Sequence, residues 1–279
     1  MSQTYDHAED VLRECVDKPD AVLVVLTDVT GGTLRARGAM MAVTSSQSIG
    51  YISNGCVDAD VVARARAGQS GTFIYGEGSL YRDIALPCGG RLEITIIQSP
   101  DQQAIRSALD KMDCRENAQL RLGGFSVSLV PRIKIRIAGR GAACVALAEL
   151  AKLSGFDVSV QSPDADIWPN TQHLRDPANP PSVKDDPRTA VVCLFHDHDW
   201  EAALLKQALA GTAFYVGAMG SERTHELRIQ NLVSMGVAQP CIARINAPIG
   251  LVASQRDARL LALSVLAEII QFAQKADLL

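Results

Sequence analysis

Residues 133–144 read Ile-Lys-Ile-Arg-Ile-Ala-Gly-Arg-Gly-Ala-Ala-Cys, an apolar strand that passes through a glycine-rich turn into a helix closing at Gly155. This succession is typical of the first β-α-β step of a nucleotide-binding sheet. Glycine is needed where the turn is tight and a ligand approaches the backbone, and the amides of the helix N-terminus attract a phosphate. Gly139, Gly141 and Ala142 are therefore candidate ligand residues. In the alternative interpretation, the glycines only make a tight turn.

Two positions differ from the fingerprint of dinucleotide-binding proteins. Cys144 stands where a third glycine or alanine allows close packing of helix and strand, and Gln161 and Ser162 stand where an acidic residue binds the ribose. A glutamine brings donors of its own and cannot accept from both ribose hydroxyls as a carboxylate does. We therefore do not expect NAD(P) as the ligand, although another phosphate-bearing ligand fits. A nicotinamide-dependent oxidoreductase is the rival interpretation.

Short apolar strands alternate with helices throughout the second half of the chain. The predicted strands are 133–138, 156–161, 190–195 and 214–216, and the predicted helices are 142–154, 200–210, 222–235 and 257–274. This alternation predicts a parallel, doubly wound sheet, and hence a Rossmann-like domain over 126–279. Residues 162–187 are rich in proline and aspartate and are predicted to form a surface excursion, because proline suits neither a regular helix nor a central strand.

The first half of the chain has a different pattern, with strands that are not separated regularly by helices. The predicted helices are 6–17, 57–67 and 101–117, and the predicted strands are 21–27, 34–43, 72–75, 81–84 and 91–97. This mixture predicts a small α+β domain over 1–125.

Composition excludes several classes of function. With 27 Lys and Arg against 31 Asp and Glu, the formal net charge is -4 and the basic residues form no cluster, so neither nucleic acid nor an anionic membrane is expected as a partner. The first residues lack the pattern of a secretory signal, and no apolar run reaches the roughly 18 residues of a membrane span, so we expect a cytoplasmic protein. The cysteines are odd in number and widely spaced, so a functional thiol is expected to act singly.

Cys56 lies where a glycine-rich segment that includes Gly55 turns into a predicted helix. Amides at a helix N-terminus favour the thiolate and lower its pKa, which suits a sulfur nucleophile, a persulfide carrier or a soft metal contact. In the alternative interpretation, Cys56 is buried packing, the commonest role of a lone cysteine. Cys88, which precedes a Gly-Gly pair, is a second candidate thiol, and spacing alone does not tell whether the two cysteines share a cleft.

A second glycine-rich turn, at 217–221, also follows a strand and opens a helix. Gly217 and Gly220 would let a ligand approach the backbone, Ser221 can cap the helix, and Arg223 can meet an anionic group. The alternative is a satisfied cap with an arginine that faces solvent. The carboxyl ends of parallel strands share one edge of the sheet, so both glycine-rich turns are expected at the edge where ligands bind.

His196 and His198 flank Asp197 directly after the predicted strand 190–195, at this same edge. These residues could contact a phosphate or a pterin, or Asp197 or Asp199 could instead cap the helix that follows. No third ligand is evident, so a metal site formed by these residues is not expected.

Five stretches together resemble the XdhC/CoxI family, the xanthine dehydrogenase accessory proteins. Residues 53–61, Ser-Asn-Gly-Cys-Val-Asp-Ala-Asp-Val, are similar to its signature Ser-Gly-Gly-Cys-Val-Glu-Ala-Asp-Val. The other four stretches are 87–90 (Pro-Cys-Gly-Gly), 195–199 (Phe-His-Asp-His-Asp), 215–224 (Tyr-Val-Gly-Ala-Met-Gly-Ser-Glu-Arg-Thr) and 244–251 (Arg-Ile-Asn-Ala-Pro-Ile-Gly-Leu). The resemblance covers nearly the whole chain, and departures such as Asn54 and Asn246 affect ligand detail rather than architecture.

The resemblance implies a carrier of molybdenum cofactor with little or no catalytic activity of its own. It implies that the protein binds this cofactor as cargo and assists its sulfuration and its insertion into a xanthine-dehydrogenase-like molybdenum hydroxylase. A cysteine desulfurase is a further implied partner, and a homodimer the implied assembly. Cys56 is then the residue expected near molybdenum or its sulfur ligand, while the glycine-rich turns hold the anionic end of the pterin. A third interpretation is an adaptor that binds no ligand.

Overall fold

The structure is a computed structural model that describes residues 7–32, 35–53, 55–78, 86, 90–195 and 198–279. The chain divides into two compact units, Met1–Pro131 and Arg132–Leu279. The sequence predicts the boundary between 125 and 126, which lies at the start of a strand whose Leu129 belongs to the core of the first unit.

The first unit is built on a five-stranded antiparallel sheet. Its described elements are α1 (Ala8–Asp17), β1 (Val22–Thr30), β2 (Met40–Val43), β3 (Ser48–Gly50), α2 (Asp58–Arg66), β4 (Gly71–Gly76), β5 (Arg91–Ile97), α3 (Gln102–Asp113), β6 (Ala118–Leu122) and β7 (Phe125–Leu129). The strand order is β3-β2-β1-β5-β4, with every ladder antiparallel. The hairpin of β6 and β7 forms a separate two-stranded sheet.

Strand β1 supplies apolar side chains to both faces of this sheet. Because successive strand residues point to opposite sides, Leu23 and Val25 pack with α1, α3 and the β6–β7 hairpin, whereas Val24 and Leu26 pack with α2 and the inner face of β5. The continuous apolar run that opens β1 therefore reflects a central strand covered on both sides.

Helix α3 ends at Asp113, four residues before the predicted end at 117. A residue other than glycine closes its C-terminal turn. Arg115 takes a positive φ of 63°. Its amide donates to the carbonyl of Met112 at 2.9 Å, and the amide of Glu116 donates to that of Lys111 at 2.9 Å, the bond pattern of a Schellman motif. Because the usual glycine is absent from this turn, the helix predicted from the sequence is too long, and the hairpin that follows was not predicted.

The strands of the first unit differ in detail from the predicted ones. Strand β2 begins at Met40, and not at Leu34 as predicted, and the short strand β3 was not predicted. The predicted strand 81–84 lies outside the described residues.

The second unit is built on a six-stranded parallel sheet. Its described elements are β8 (Lys134–Gly139), α4 (Gly141–Leu153), β9 (Asp157–Ser162), β10 (Gln172–His173), β11 (Thr189–Leu194), α5 (His198–Ala210), β12 (Tyr215–Ala218), α6 (Glu222–Ser234), α7 (Gln239–Ile242), β13 (Ile245–Asn246) and α8 (Ala258–Lys275). The strand order is β10-β9-β8-β11-β12-β13, with every ladder parallel. Strands β10 and β13 and helix α7 were not predicted, since elements of two to four residues show no periodicity.

Helices cover both faces of the second sheet. Helices α4 and α8 pack on one face against Ile135, Ile137 and Val192, and helices α5, α6 and α7 pack on the other against Val191 and Cys193. The strand order reverses between β8 and β11, the switch point at which ligands of such sheets bind. The predicted fold class, a small α+β domain followed by a Rossmann-like doubly wound domain, is confirmed.

None of the helices in the described part of the chain is both long enough and apolar enough to cross a membrane.

Candidate functional site

Cys56 lies in a short loop that the side chain of Asp58 holds together. The carboxylate of Asp58 accepts from the amide of Ile52 at 2.7 Å, and from the amide and the hydroxyl of Ser53 at 3.1 and 2.9 Å. It also accepts from the amide of Gly55, whose φ of +106° disfavours any residue with a side chain. The loop therefore curls around one carboxylate, and these amides donate to Asp58.

The thiol of Cys56 is exposed to solvent, as is that of Cys114 at the end of α3. Within the residues that the structure describes, no group of three or more His, Cys, Asp and Glu side chains is arranged to hold a metal ion. Cys56 therefore presents a single accessible sulfur beside the exposed Gly55.

Behind this loop, Asp60 fastens α2 to strand β4. The hydroxyl of Tyr75 and Nε of Arg64 each donate to Oδ2 of Asp60 at 2.6 Å. Burial disfavours the charged form of Asp60, but the two donors outweigh burial and lower the pKa of this carboxyl group. Burial first, and the bond to Asp60 second, raise the pKa of Tyr75. The helix that follows Cys56 is thus held in a fixed position on the sheet.

The two glycines of the first turn of the Rossmann unit have different structural roles. A Cβ on Gly139, at the end of β8, would lie 2.8 Å from the Cβ and 2.9 Å from the carbonyl oxygen of Leu194, so this glycine allows β8 and β11 to approach closely. Gly141 opens α4 with a φ of +69°, and a Cβ there would meet open space. Ala142 is exposed, and Arg140 provides no side-chain cap. The first amides of α4 therefore lie at an exposed, uncapped helix end.

Arg140 is an exposed cation at this same helix end. Its Nε lies 3.5 Å from Oδ1 of Asp164, and its guanidinium carbon lies 5.9 Å from the centre of the Trp200 ring. Cys144, one turn further along α4, is buried, and burial followed by the charge of Asp164 raises its pKa to about 12. Cys144 is therefore packing, whereas Arg140 is exposed beside the carboxylate of Asp164.

Gln161 is committed to a buried network and does not face a ligand. Its Oε1 accepts from Arg136 at 2.6 Å, and its Nε2 donates to Gln172 at 2.7 Å. Arg136 in turn forms a buried bidentate pair with Asp185, a residue of the proline-rich excursion. The residue that replaces the ribose-binding acid thus helps to attach the excursion to the sheet.

The second turn lies at the same edge as the first, two strands away, at the end of β12. A Cβ on Gly217 would lie 2.5 Å from the hydroxyl oxygen of Tyr215, so this glycine is required by packing. Gly220 has a φ of +137°, and a Cβ there would lie 2.6 Å from Cγ2 of Thr224. Ser221 caps α6 by accepting from the amide of Thr224 at 3.2 Å, as predicted for a cap, and Arg223 is exposed.

A buried ion pair beneath the second turn was not predicted from the sequence. Nε and Nη2 of Arg228 donate to the two carboxylate oxygens of Glu201 at 3.0 and 3.1 Å, and both side chains are at most 3% exposed. Nη2 of Arg228 also donates to the carbonyl oxygen of Met219 at 2.6 Å. Arg228 and Glu201 are charged residues within helices, where the sequence alone suggests a solvated surface, so no sequence signal marked them.

Three predicted site residues, Cys88, His196 and Asp197, lie outside the described residues. In the second unit, the structure brings the first turn and the second turn to one edge of the sheet, on either side of β11.

Two family models match this chain. The model of the XdhC Rossmann domain matches residues 135–269, and the model of the XdhC and CoxI family matches residues 17–76. A curated relative, the molybdenum cofactor insertion chaperone PaoD of Escherichia coli (strain K12), is 34% identical over 274 residues, which cover 89% of this chain and 82% of PaoD. The chain belongs to the XdhC and CoxI family. This membership confirms the resemblance seen in the five sequence stretches.

Two further similarities are more limited. The uncharacterized protein YqeB of E. coli (strain K12) is 30% identical over 162 residues, which cover 52% of this chain and 28% of YqeB. A crystal structure described as a xanthine dehydrogenase from Bacillus halodurans matches 96% of both chains with a TM-score of 0.77. At 18% sequence identity, the similarity to the Bacillus halodurans structure shows only that the two chains share a fold.

Proposed function

We propose that this chain is an accessory protein that binds molybdenum cofactor as cargo and assists its insertion into a xanthine-dehydrogenase-like molybdenum hydroxylase. The observation that carries the proposal is the similarity to PaoD, a molybdenum cofactor insertion chaperone, along most of both chains. Both family models, which match regions in both units, agree with this role. The work of such a protein is that of a carrier, so no catalytic step is assigned to its residues.

The anionic end of the cargo is proposed to bind at the carboxyl edge of the Rossmann sheet. The uncapped N-terminus of α4 at Gly141 and Ala142 offers amides, and Arg140 and Arg223 offer exposed positive charge. A phosphate gains from both, because helix N-termini carry partial positive charge and guanidinium groups form charge-assisted hydrogen bonds. Gly139 and Gly217 support this edge by allowing close packing, while His196 and Asp197 stay candidates from the sequence.

Cys56 is proposed to contact molybdenum or its sulfur ligand. Its thiol is exposed on a loop that the carboxylate of Asp58 holds in one conformation, so the sulfur is both accessible and positioned. A cysteine that passes sulfur to the cofactor would require a cysteine desulfurase as a second partner, which is part of the same proposal. Cys88 is retained as a second candidate thiol on the strength of its sequence.

A homodimer in the cytoplasm is the proposed state of the protein. Helix α8 leaves three large apolar side chains exposed, Leu260, Leu263 and Ile270, at a spacing that places them along one side of the helix. A second copy of the chain that packs against α8 would cover them.

The test is anaerobic purification from a host that makes the cofactor, followed by measurement of molybdenum and of oxidised pterin fluorescence. We expect roughly one pterin per chain, and a Cys56→Ser variant that retains less of the sulfurated cofactor while its thermal unfolding is unchanged. Cys114→Ser is the matched control, because that thiol is also exposed and lies outside the proposed site. Absence of pterin and molybdenum, even after incubation with free cofactor, would contradict the proposal. A fluorescence titration with NADH tests the oxidoreductase alternative, for which we expect no binding.

A further inference from the structure

Arg228 and Glu201 form a buried charge pair near the proposed binding edge. Both side chains are at most 3% exposed, and the pair is bidentate with bonds of 3.0 and 3.1 Å. Burying two charges carries a large desolvation cost, which their attraction offsets only with good geometry and further hydrogen bonds. A pair of apolar residues would fill the same space without that cost, so stability alone does not account for a buried pair here.

One further bond of Arg228 is directed to the second turn, and a longer contact of 3.4 Å joins its Nη1 to Nδ1 of His225. Nη2 of Arg228 donates to the carbonyl oxygen of Met219 at 2.6 Å, while the amide of Met219 donates to the carbonyl of Cys193 at 2.9 Å. Both polar groups of this residue are therefore held on the protein side of the turn. Among the described residues, no acceptor binds the amides of Gly220 and Ser221, or those of the two residues that open α6.

An anion site requires donors only, because a carbonyl oxygen that faced the ligand would repel its negative charge. Gly220 follows Met219 and has a φ of +137°, a region that glycine occupies freely. The peptide between Met219 and Gly220 can consequently rotate at little steric cost unless something holds its oxygen. Arg228 supplies that restraint, and Glu201 fixes the guanidinium that supplies it.

We infer that Arg228 and Glu201 are positioning residues that hold the Met219 carbonyl away from the ligand, so that the 217–221 turn presents only amides to the anionic end of the cargo. This inference rests on the proposed function for the identity of the cargo, but the restraint on the turn is a property of the protein alone. Glu201 comes from the helix after β11 and Arg228 from the helix after β12, so the pair also joins the two connections that flank this part of the edge.

The experiment uses the full chain and replaces the pair by apolar side chains, Arg228→Met together with Glu201→Leu. A pocket of about 140 Å³, lined in part by Leu227, Asn231 and Leu232, adjoins the pair and gives the new side chains room to repack. The first measurement is hydrogen exchange of the Met219 amide, which its bond to the carbonyl of Cys193 protects while the turn is held in place, in the protein without cargo. We expect exchange to rise about tenfold in the double variant.

The second measurement is the dissociation constant for molybdenum cofactor released anaerobically from a purified molybdenum hydroxylase. We expect it to rise about tenfold in the double variant. Arg244→Met is the control, since Arg244 also holds backbone carbonyls, those of Leu209 and Ala213 at 3.1 and 2.8 Å, but at the opposite edge of the sheet. This control should lower the unfolding temperature and change neither the exchange of the turn nor the affinity.

If the double variant fails to fold, Arg228→Lys with Glu201 intact takes its place. A single ammonium is not a rigid fork and cannot reproduce the bidentate pair together with the bond to Met219, so the same two measurements should change in the same direction, by at least threefold. Wild-type exchange and wild-type affinity in the folded variants would overturn the inference. A wild-type chain that binds no cofactor would instead overturn the proposed function. The exchange measurement would still test whether Arg228 and Glu201 restrain the Met219 carbonyl.

Discussion

Replacing Asp58 by alanine should release the loop that carries Cys56 without unfolding the first unit. The variant removes the acceptor of four hydrogen bonds, from the amides of Ile52, Ser53 and Gly55 and from the hydroxyl of Ser53. Gly55 is exposed and Ser53 is half-buried, so we expect water to replace Asp58 at their amides, and only the amide of Ile52, a residue 1% exposed, loses its partner at full cost. A buried donor left unsatisfied costs about 1–3 kcal/mol, and we take about 2 kcal/mol.

This free energy predicts that the equilibrium constant for opening of the loop rises about thirtyfold, since about 1.4 kcal/mol corresponds to a factor of ten. The assay is native-state hydrogen exchange of the Ile52 and Gly55 amides, with amides of β1 as the internal reference for global stability. Asp58→Glu is the matched control, because it keeps the charge and changes only the reach of the carboxylate. Exchange within threefold of wild type in Asp58→Ala would show that the loop does not depend on this carboxylate, and would refute the reasoning.

Three further predictions concern stability and assembly. Gly139→Ala should lower the free energy of unfolding by about 1–3 kcal/mol through overpacking against Leu194, whereas Gly141→Ala, which meets open space but a positive φ, should cost about 1–2 kcal/mol; urea unfolding midpoints measure both. Hydrogen bonds keep the folded-state pKa of Asp60 below its unfolded value of about 3.9. The stability that ionised Asp60 contributes is therefore fully present above that pH, and it is lost as pH falls through the folded-state pKa. The stability difference between wild type and Asp60→Asn should therefore shrink in acid, and a constant difference would contradict this. Leu263→Glu should convert the proposed dimer to a monomer in light scattering, and a wild-type chain that is already monomeric would exclude α8 as a dimer surface.

The Rossmann half of the fold could be predicted from sequence because local pattern and global topology agree there. Apolar strands, glycine turns and amphipathic helices alternate, and this alternation is typical of a doubly wound parallel sheet. The end of α3 could not be predicted, because Arg115 adopts the left-handed conformation that sequence reasoning assigns to glycine or asparagine. That single turn hid the hairpin that follows.

The buried pair of Arg228 and Glu201 could not be predicted for a different reason. The two residues are 27 positions apart and lie on two helices, so no local spacing relates them. The sequence shows which helix residues are charged. It does not show which of them come into contact when two helices pack on the same face of a sheet. Only the packing of α5 against α6 showed that these two charges are buried together.

Glycine-rich turns illustrate how far a motif can be interpreted before the structure is known. The leading interpretation of the sequence assigned ligand approach to Gly139, Gly141, Gly217 and Gly220, with a purely structural turn as the alternative. In the structure, a Cβ would strike Leu194 at Gly139 and Tyr215 at Gly217, so packing within the unit already requires glycine at both positions. Gly141 is uncrowded, and Gly220 is followed by amides without described acceptors, so the candidate contacts for an anion narrow to the starts of α4 and α6. A substitution at Gly139 or Gly217 that weakened cargo binding would therefore not identify a ligand contact, because the same substitution distorts the sheet edge on which both helix termini depend.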